Sequence, residues 1–126
     1  MKTNPTTNVK KFAGLANHIR GVCAEESVAR AYEKSGFSVV DRRWRSQEGE
    51  IDLVARHENK LYFVEVKSSK SHQQAALALT QKVQRRVQNA ARRYLAQKFG
   101  RLDVDCRFDA ALVDAVGRVK VYPNAF

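Results

Sequence analysis

Gly49-Glu50-Ile51-Asp52-Leu53-Val54-Ala55-Arg56, followed after a short polar segment by Leu61-Tyr62-Phe63-Val64-Glu65-Val66-Lys67, decides the fold. Both stretches are rich in β-branched and aromatic residues with apolar and polar positions interleaved, the pattern of strands that face a core. Between them, His57-Glu58-Asn59-Lys60 is a polar tetrapeptide whose Asn tolerates turn conformations. The segment reads as a β-hairpin. A turn centred between Glu58 and Asn59 opposes Asp52 to Glu65 and Glu50 to Lys67, and puts all four side chains on one face.

Like charges directly opposite each other destabilise a sheet. At about 4 Å and an effective dielectric of about 20, the repulsion between Asp52 and Glu65 is of order 4 kcal/mol, several times the worth of a favourable cross-strand pair. A divalent cation reverses the sign. Mg²⁺ (or Mn²⁺) is typically held by one or two carboxylates, with water or phosphate oxygens completing the octahedron. Lys67, two residues along the same face from Glu65, can steer a metal-bound water or offset charge on a phosphate. A salt-bridge ladder on a basic structural protein would instead place Asp opposite Lys.

Asp52 followed by Glu65-Val66-Lys67 resembles the signature of the PD-(D/E)XK nucleases, the restriction-endonuclease-like superfamily. Gly49-Glu50-Ile51-Asp52-Leu53 and Phe63-Val64-Glu65-Val66-Lys67 are similar to the two hallmark strings of the YraN family of bacterial proteins, placed in that superfamily. The resemblance extends from about Gly21 to Val113. It implies an α/β fold with an αβββαβ core, a mixed β-sheet flanked by helices, and a Mg²⁺-dependent endonuclease acting on DNA. In the implied roles, Asp52 and Glu65 hold the metal with the Val66 carbonyl, and Lys67 orients or activates the attacking water. Glu25, in the string Gly21-x-x-x-Glu25, supports them directly or through water. Glu50 is expected just behind this set, positioning Lys67. Two departures from the family pattern are Ser68-Ser69 in place of a Thr-Arg pair, and Gln81 where a proline is common.

With 126 residues, the chain fits one domain with a single hydrophobic core. A formal net charge of +10 favours a polyanionic partner, nucleic acid before anionic membrane, although a ribosome-associated or merely soluble basic protein has the same balance. Cys23 and Cys106 lack C-x-x-C spacing, and His18, His57 and His72 match no zinc pattern. No stretch approaches the ~20 apolar residues of a membrane span, and Phe12-Ala13-Gly14-Leu15-Ala16 is too short for a signal-peptide core, so a cytoplasmic location away from membranes is expected.

Residues 1–16 read as a mobile basic tail and residues 17–126 as the single domain. From Asn17 to Ser35 the pattern is helical, with Gly36 at the position of a C-terminal cap. Val22, Val28, Ala29 and Tyr32 cluster around Glu25 and turn it inward; the plainer alternative is that its carboxylate tilts out or pairs with an Arg. Phe37 to Arg45 reads as a strand, Trp44 as a core or boundary residue that could also stack on a base, and Gly49 as a bulge or close backbone approach.

Between Lys67 and Leu102 there is no acidic residue. Thr80 suits the N-cap of a helix running to Phe99, with Val83, Val87, Ala90 and Tyr94 buried and Gly100 just beyond. Lys82, Arg86, Asn89 and Arg93 form a line beside that stripe. Such a run is usually a solvated face, but without interspersed acids it contributes little to the helix, which points Lys82, Arg86 and Arg93 towards nucleic-acid phosphates. Lys70 to Leu79 reads as a flexible loop; Leu102 to Asp114 and Arg118 to Tyr122 read as strands, with Arg107 and Asp109 pairing across the sheet. The leading function is a metal-dependent nuclease, and the alternative is a non-cleaving nucleic-acid-binding module of the same fold.

Overall fold

The computed structural model describes residues 5–126, with side chains from residue 11 onward. The elements run α1 (Pro5–Lys34), β1 (Ser38–Arg45), β2 (Glu50–His57), β3 (Lys60–Ser68), α2 (His72–Leu77), α3 (Gln81–Phe99), β4 (Cys106–Val113) and β5 (Val119–Tyr122). The expected αβββαβ order is present, extended by α2 and β5. All five strands form one sheet in chain order. Only β3 and β4 are parallel, because α2 and α3 carry the chain back between them, as a parallel pair requires. The sheet is therefore mixed and lies between helices.

Each face of the sheet buries one helix. On one side Ala24, Val28, Ala29 and Tyr32 of α1 pack against Leu53, Ala55, Tyr62 and Val64. On the other, Ala90, Ala91, Tyr94 and Leu95 of α3 pack against Ile51, Val54, Leu61 and Phe63. Trp44 is a boundary residue: its ring meets Tyr94 edge-on at 5.3 Å between centroids. Among the described residues no helix is long and apolar enough to cross a membrane.

The hairpin has the expected register. Glu58-Asn59 is a two-residue turn, and the β2–β3 ladder runs from His57↔Lys60 to Leu53↔Val64. Helix α3 also has its expected ends. The Thr80 side chain accepts from the Val83 N–H, and Gly100 takes the left-handed conformation that only a residue without Cβ adopts cheaply.

Three local expectations need correction. Helix α1 begins at Pro5, so residues 11–16 of the expected tail are helical and exposed, while residues 1–4 lie outside the described residues. Pro suits the first helical position, and Phe12, Leu15 and Ile19 continue a helical apolar spacing. Lys70 to Leu79 is not all loop: Ser71 caps α2, which buries Ala75. Arg107 and Asp109 pair along β4 rather than across the sheet, since residues two apart on a strand share a face. Asp109 is fully buried and also accepts from Tyr32 Oη at 2.6 Å and from the Asn124 N–H at 3.0 Å.

Gly49 permits a close backbone approach. A Cβ there would lie 2.7 Å from the Arg86 carbonyl oxygen of α3, and neither backbone can step aside alone. Gly49→Ala should lower the unfolding free energy by roughly 1–3 kcal/mol in a urea titration, as overpacking does. Gly14→Ala, whose Cβ would meet nothing within 4 Å, should not. Equal stability of the Gly49 variant and wild type would show that α3 is free to move.

Candidate functional site

The β2–β3 ladder stops one residue short of Asp52. Ile51 and Leu53, two residues apart on β2, lie in the cores on opposite faces, so the side-chain alternation breaks at Asp52. There the side chain continues the join between strands: the Val66 N–H donates to Asp52 Oδ2 at 2.8 Å. Glu65 is buried beside it, and Lys67 Nζ sits 3.4 Å from Glu65 Oε1.

These residues line a cleft of about 200 Å³ on the α3 side, with Glu50, Val83, Arg86 and Val87. The predicted quartet Glu50, Asp52, Glu65 and Lys67 is thus brought together, with Arg86 across from it. Lys82 and Arg93 lie exposed on α3, outside the lining. Val66 packs its side chain against the α1-side core. Glu50 does not hold Lys67 as expected: its carboxylate is 3.5 Å from Arg45 Nε, its neighbour across β1–β2.

A second cleft, of about 210 Å³, opens on the α1 side and is lined by Val22, Glu25, Glu26, Arg42, Arg43, Asp52 and Leu53. Asp52 alone borders both clefts. Glu25 does turn inward, but its Oε2 accepts from Arg43 Nε at 2.6 Å, so the inward and Arg-paired readings both hold. Burial is the main cause that raises the Glu25 pKa, partly countered by Arg43. Among the described residues no three His, Cys, Asp or Glu side chains converge as a ready ligand set.

The two facing carboxyls are hydrogen-bonded to each other. Burial first, then the Asp52 charge, pushes Glu65 from 4.5 up to about 8, against the pull of Lys67. Asp52 is raised as well, again chiefly by burial, while the Val66 N–H draws it down. Glu65 is accordingly the protonated partner at neutral pH and donates to Asp52. Two carboxylates that close cannot both ionise in a buried site unless a cation joins them.

Residues 24–113 match the family described as "Uncharacterised protein family UPF0102". This chain belongs to the UPF0102 family. It is 48% identical over 116 residues to a UPF0102 protein of Cereibacter sphaeroides, an alignment covering 91% of this chain and 98% of the relative. It is 44% identical over 125 residues to one of Roseobacter denitrificans, covering 99% and 97%. A UPF0102 protein of Ruegeria pomeroyi is 44% identical over 113 residues, covering 90% and 92%. Both clefts of this UPF0102 chain draw on the matched segment, with Val22 alone falling outside it.

Arg43 is the site residue that sequence reading missed. The signal was present as Asp41-Arg42-Arg43-Trp44-Arg45, a charged run too dense for simple alternation along a strand. Its partner could not be read, because Glu25 lies on another element.

The raised Glu65 pKa makes stability depend on pH. Between its unfolded value of 4.5 and its folded value of about 8, the folded chain keeps a proton that the unfolded chain has released. The unfolded state then binds fewer protons, so stability falls as pH rises through that window. In chelator, the urea midpoint should drop from pH 5 to pH 8, and Asp52→Asn, which removes the repulsion but not the burial, should flatten part of the drop and leave the rest. A wild-type profile level across the window would show that Glu65 does not hold its proton in the folded chain, and equal drops in wild type and Asp52→Asn would show that the carboxyls do not interact.

Proposed function

We propose that this protein is a divalent-metal-dependent nuclease of the restriction-endonuclease-like superfamily that hydrolyses phosphodiester bonds of DNA as an endonuclease. The observation that carries the reading is the pairing of a buried Glu65 with a half-buried Asp52, one proton short of two charges, opening into a cleft beside Lys67 and Arg86. A small divalent cation fits this donor set because it replaces the shared proton and cancels the repulsion. Held by Asp52, Glu65 and the Val66 carbonyl, Mg²⁺ or Mn²⁺ would supply Lewis acidity and an acidified water.

The chain's own groups do the rest. Lys67 is tethered to Glu65 yet 28% exposed, so its remaining N–H donors reach the cleft, where they orient a water and offset charge on a phosphate. Val83 and Val87 form an apolar wall, and Arg86 presents a guanidinium from α3. Lys82, Arg86 and Arg93 have no carboxylate within ion-pairing distance among the described residues, which leaves their charge for phosphates. The net charge of +10 favours the same partner.

A second reading, a nucleic-acid-binding module that does not cut, is favoured by one observation. Glu25 is held by Arg43, so only two carboxylates remain for a metal.

Duplex, single-stranded and branched DNA incubated with Mg²⁺ or Mn²⁺ separates the two readings, with Asp52→Ala as control. Glu65→Ala and Lys67→Ala should each abolish cleavage and leave binding largely in place, since chemistry and phosphate contacts reside on different elements. Wild-type turnover in either variant, or no cleavage of any substrate, would favour the binding module.

Replacing Lys82, Arg86 and Arg93 together with Gln should weaken binding alike across sequences. The slope of log K against log salt should fall in magnitude by up to about 3. An unchanged slope would make the line on α3 a solvated face only.

A further inference from the structure

Arg42 and Arg43 are consecutive on β1, yet both reach α1, pairing with Glu26 and Glu25 respectively. On either side of them the chain points the other way: the Tyr94 Oη of α3 donates to Asp41, and the Trp44 ring meets Tyr94. A strand that kept its alternation would send Arg43 towards α3. It does not, because Arg43 adopts the left-handed conformation, φ +50. For a residue with a Cβ that conformation is sparsely populated, and within a strand its effect is to re-aim one side chain.

The re-aimed guanidinium lies among carboxylates. Its Nε donates to Glu25 Oε2 at 2.6 Å, and Glu50 and Asp52 are near enough to bear on its charge. No further hydrogen bond holds Arg43 among the described residues, so both terminal nitrogens remain available. The side chain is 37% exposed and lines the α1-side cleft that Asp52 also borders. A planar fork anchored at Nε, with two free N–H edges at the rim of a cleft, suits a phosphate held by two parallel hydrogen bonds.

We propose that Arg43 is a phosphate-binding residue, that Glu25 positions it, and that the nucleic-acid strand crosses Asp52 from the α3-side cleft to the α1-side cleft. The proposal rests on reading Asp52 and Glu65 as a nuclease site. It adds the path of the substrate. Arg86 meets the backbone on one side of Asp52 and Arg43 on the other, so a single strand, or one strand of a duplex, is gripped on both sides of the bond to be cut. Glu25 then acts through Arg43 rather than as a metal ligand.

The test is the binding of labelled single-stranded and duplex oligonucleotides in chelator, so that cleavage plays no part, with melting curves for every variant. Arg43→Ala should weaken binding roughly tenfold, as loss of a charged hydrogen-bonding group does, and should reduce the salt slope by about 1. Arg43→Lys should recover the slope but not the full affinity, since an ammonium cannot fork. Arg43→Gly fits the left-handed backbone and should melt like wild type while binding as weakly as the Ala variant, which separates lost contact from lost folding. Glu25→Gln should keep the slope and lose affinity, the mark of a residue that aims a charge it does not carry.

If wild type binds and Arg43→Ala leaves the slope and affinity unchanged, Arg43 is only a strut for α1 and the inference fails while the nuclease reading stands. The inference fails in the same way if both Arg43→Ala and Arg43→Gly lose binding only in proportion to lost folding. If wild type binds no oligonucleotide at any salt, the nuclease reading and the inference fail together.

Discussion

One hydrogen bond ties the site to the fold: the Val66 N–H donated to Asp52 Oδ2. It sits just past the last backbone pair of the β2–β3 ladder, where a side chain takes over the joining of two strands. Because a strand amide fixes it, the Asp52 carboxylate cannot swing away from Glu65, and the two acids are forced together. Their shared proton follows from that constraint, and together with burial it gives Glu65 its high proton affinity. The break in alternation at Asp52 gives it access to both faces at once.

Charge is sorted by element around this centre. The acids of α1 are consumed by β1, with Arg42 reaching Glu26 and Glu33, and Arg43 reaching Glu25. At the edge of the sheet Arg45 meets Glu50. These half-exposed pairs are individually worth little in water. Together they engage every acid of α1, whereas α3 carries no acid and its cations make no ion pair among the described residues. A buried polar network, Tyr32–Asp109–Arg107, stands apart from the site and fixes α1 against β4, with Arg107 also lying over the Tyr62 ring at 4.4 Å.

What was legible in the sequence was what is local. The hairpin register follows from a two-residue turn and a period of two, and α3 from Thr80, Gly100 and a clean apolar stripe. The pairing of Asp52 with Glu65 needed nothing more than that register. The early start of α1 was hidden because Thr, Asn and Lys around Pro5 dilute its periodicity. Helix α2 was hidden by its length, since Ser71 and Ala75 alone carry its cap and its burial. Arg43 was out of reach for a different reason: its direction depends on a backbone conformation its own residue type disfavours, and its partner is a helix away.

The parallel pairing of β3 with β4 has a consequence for how the protein comes into being on the ribosome. Glu65 and Lys67 sit on the strand whose outer edge is filled by Ala110 and Leu112, residues that arrive only after α2 and α3 have been made. Until then the hairpin carries its two acids on an open sheet edge, solvated and spaced by a chain that nothing holds. Chain topology therefore delays assembly of the centre until β4 has been synthesised, and a truncated product lacking β4 would display the motif on an open sheet edge, without its parallel neighbour.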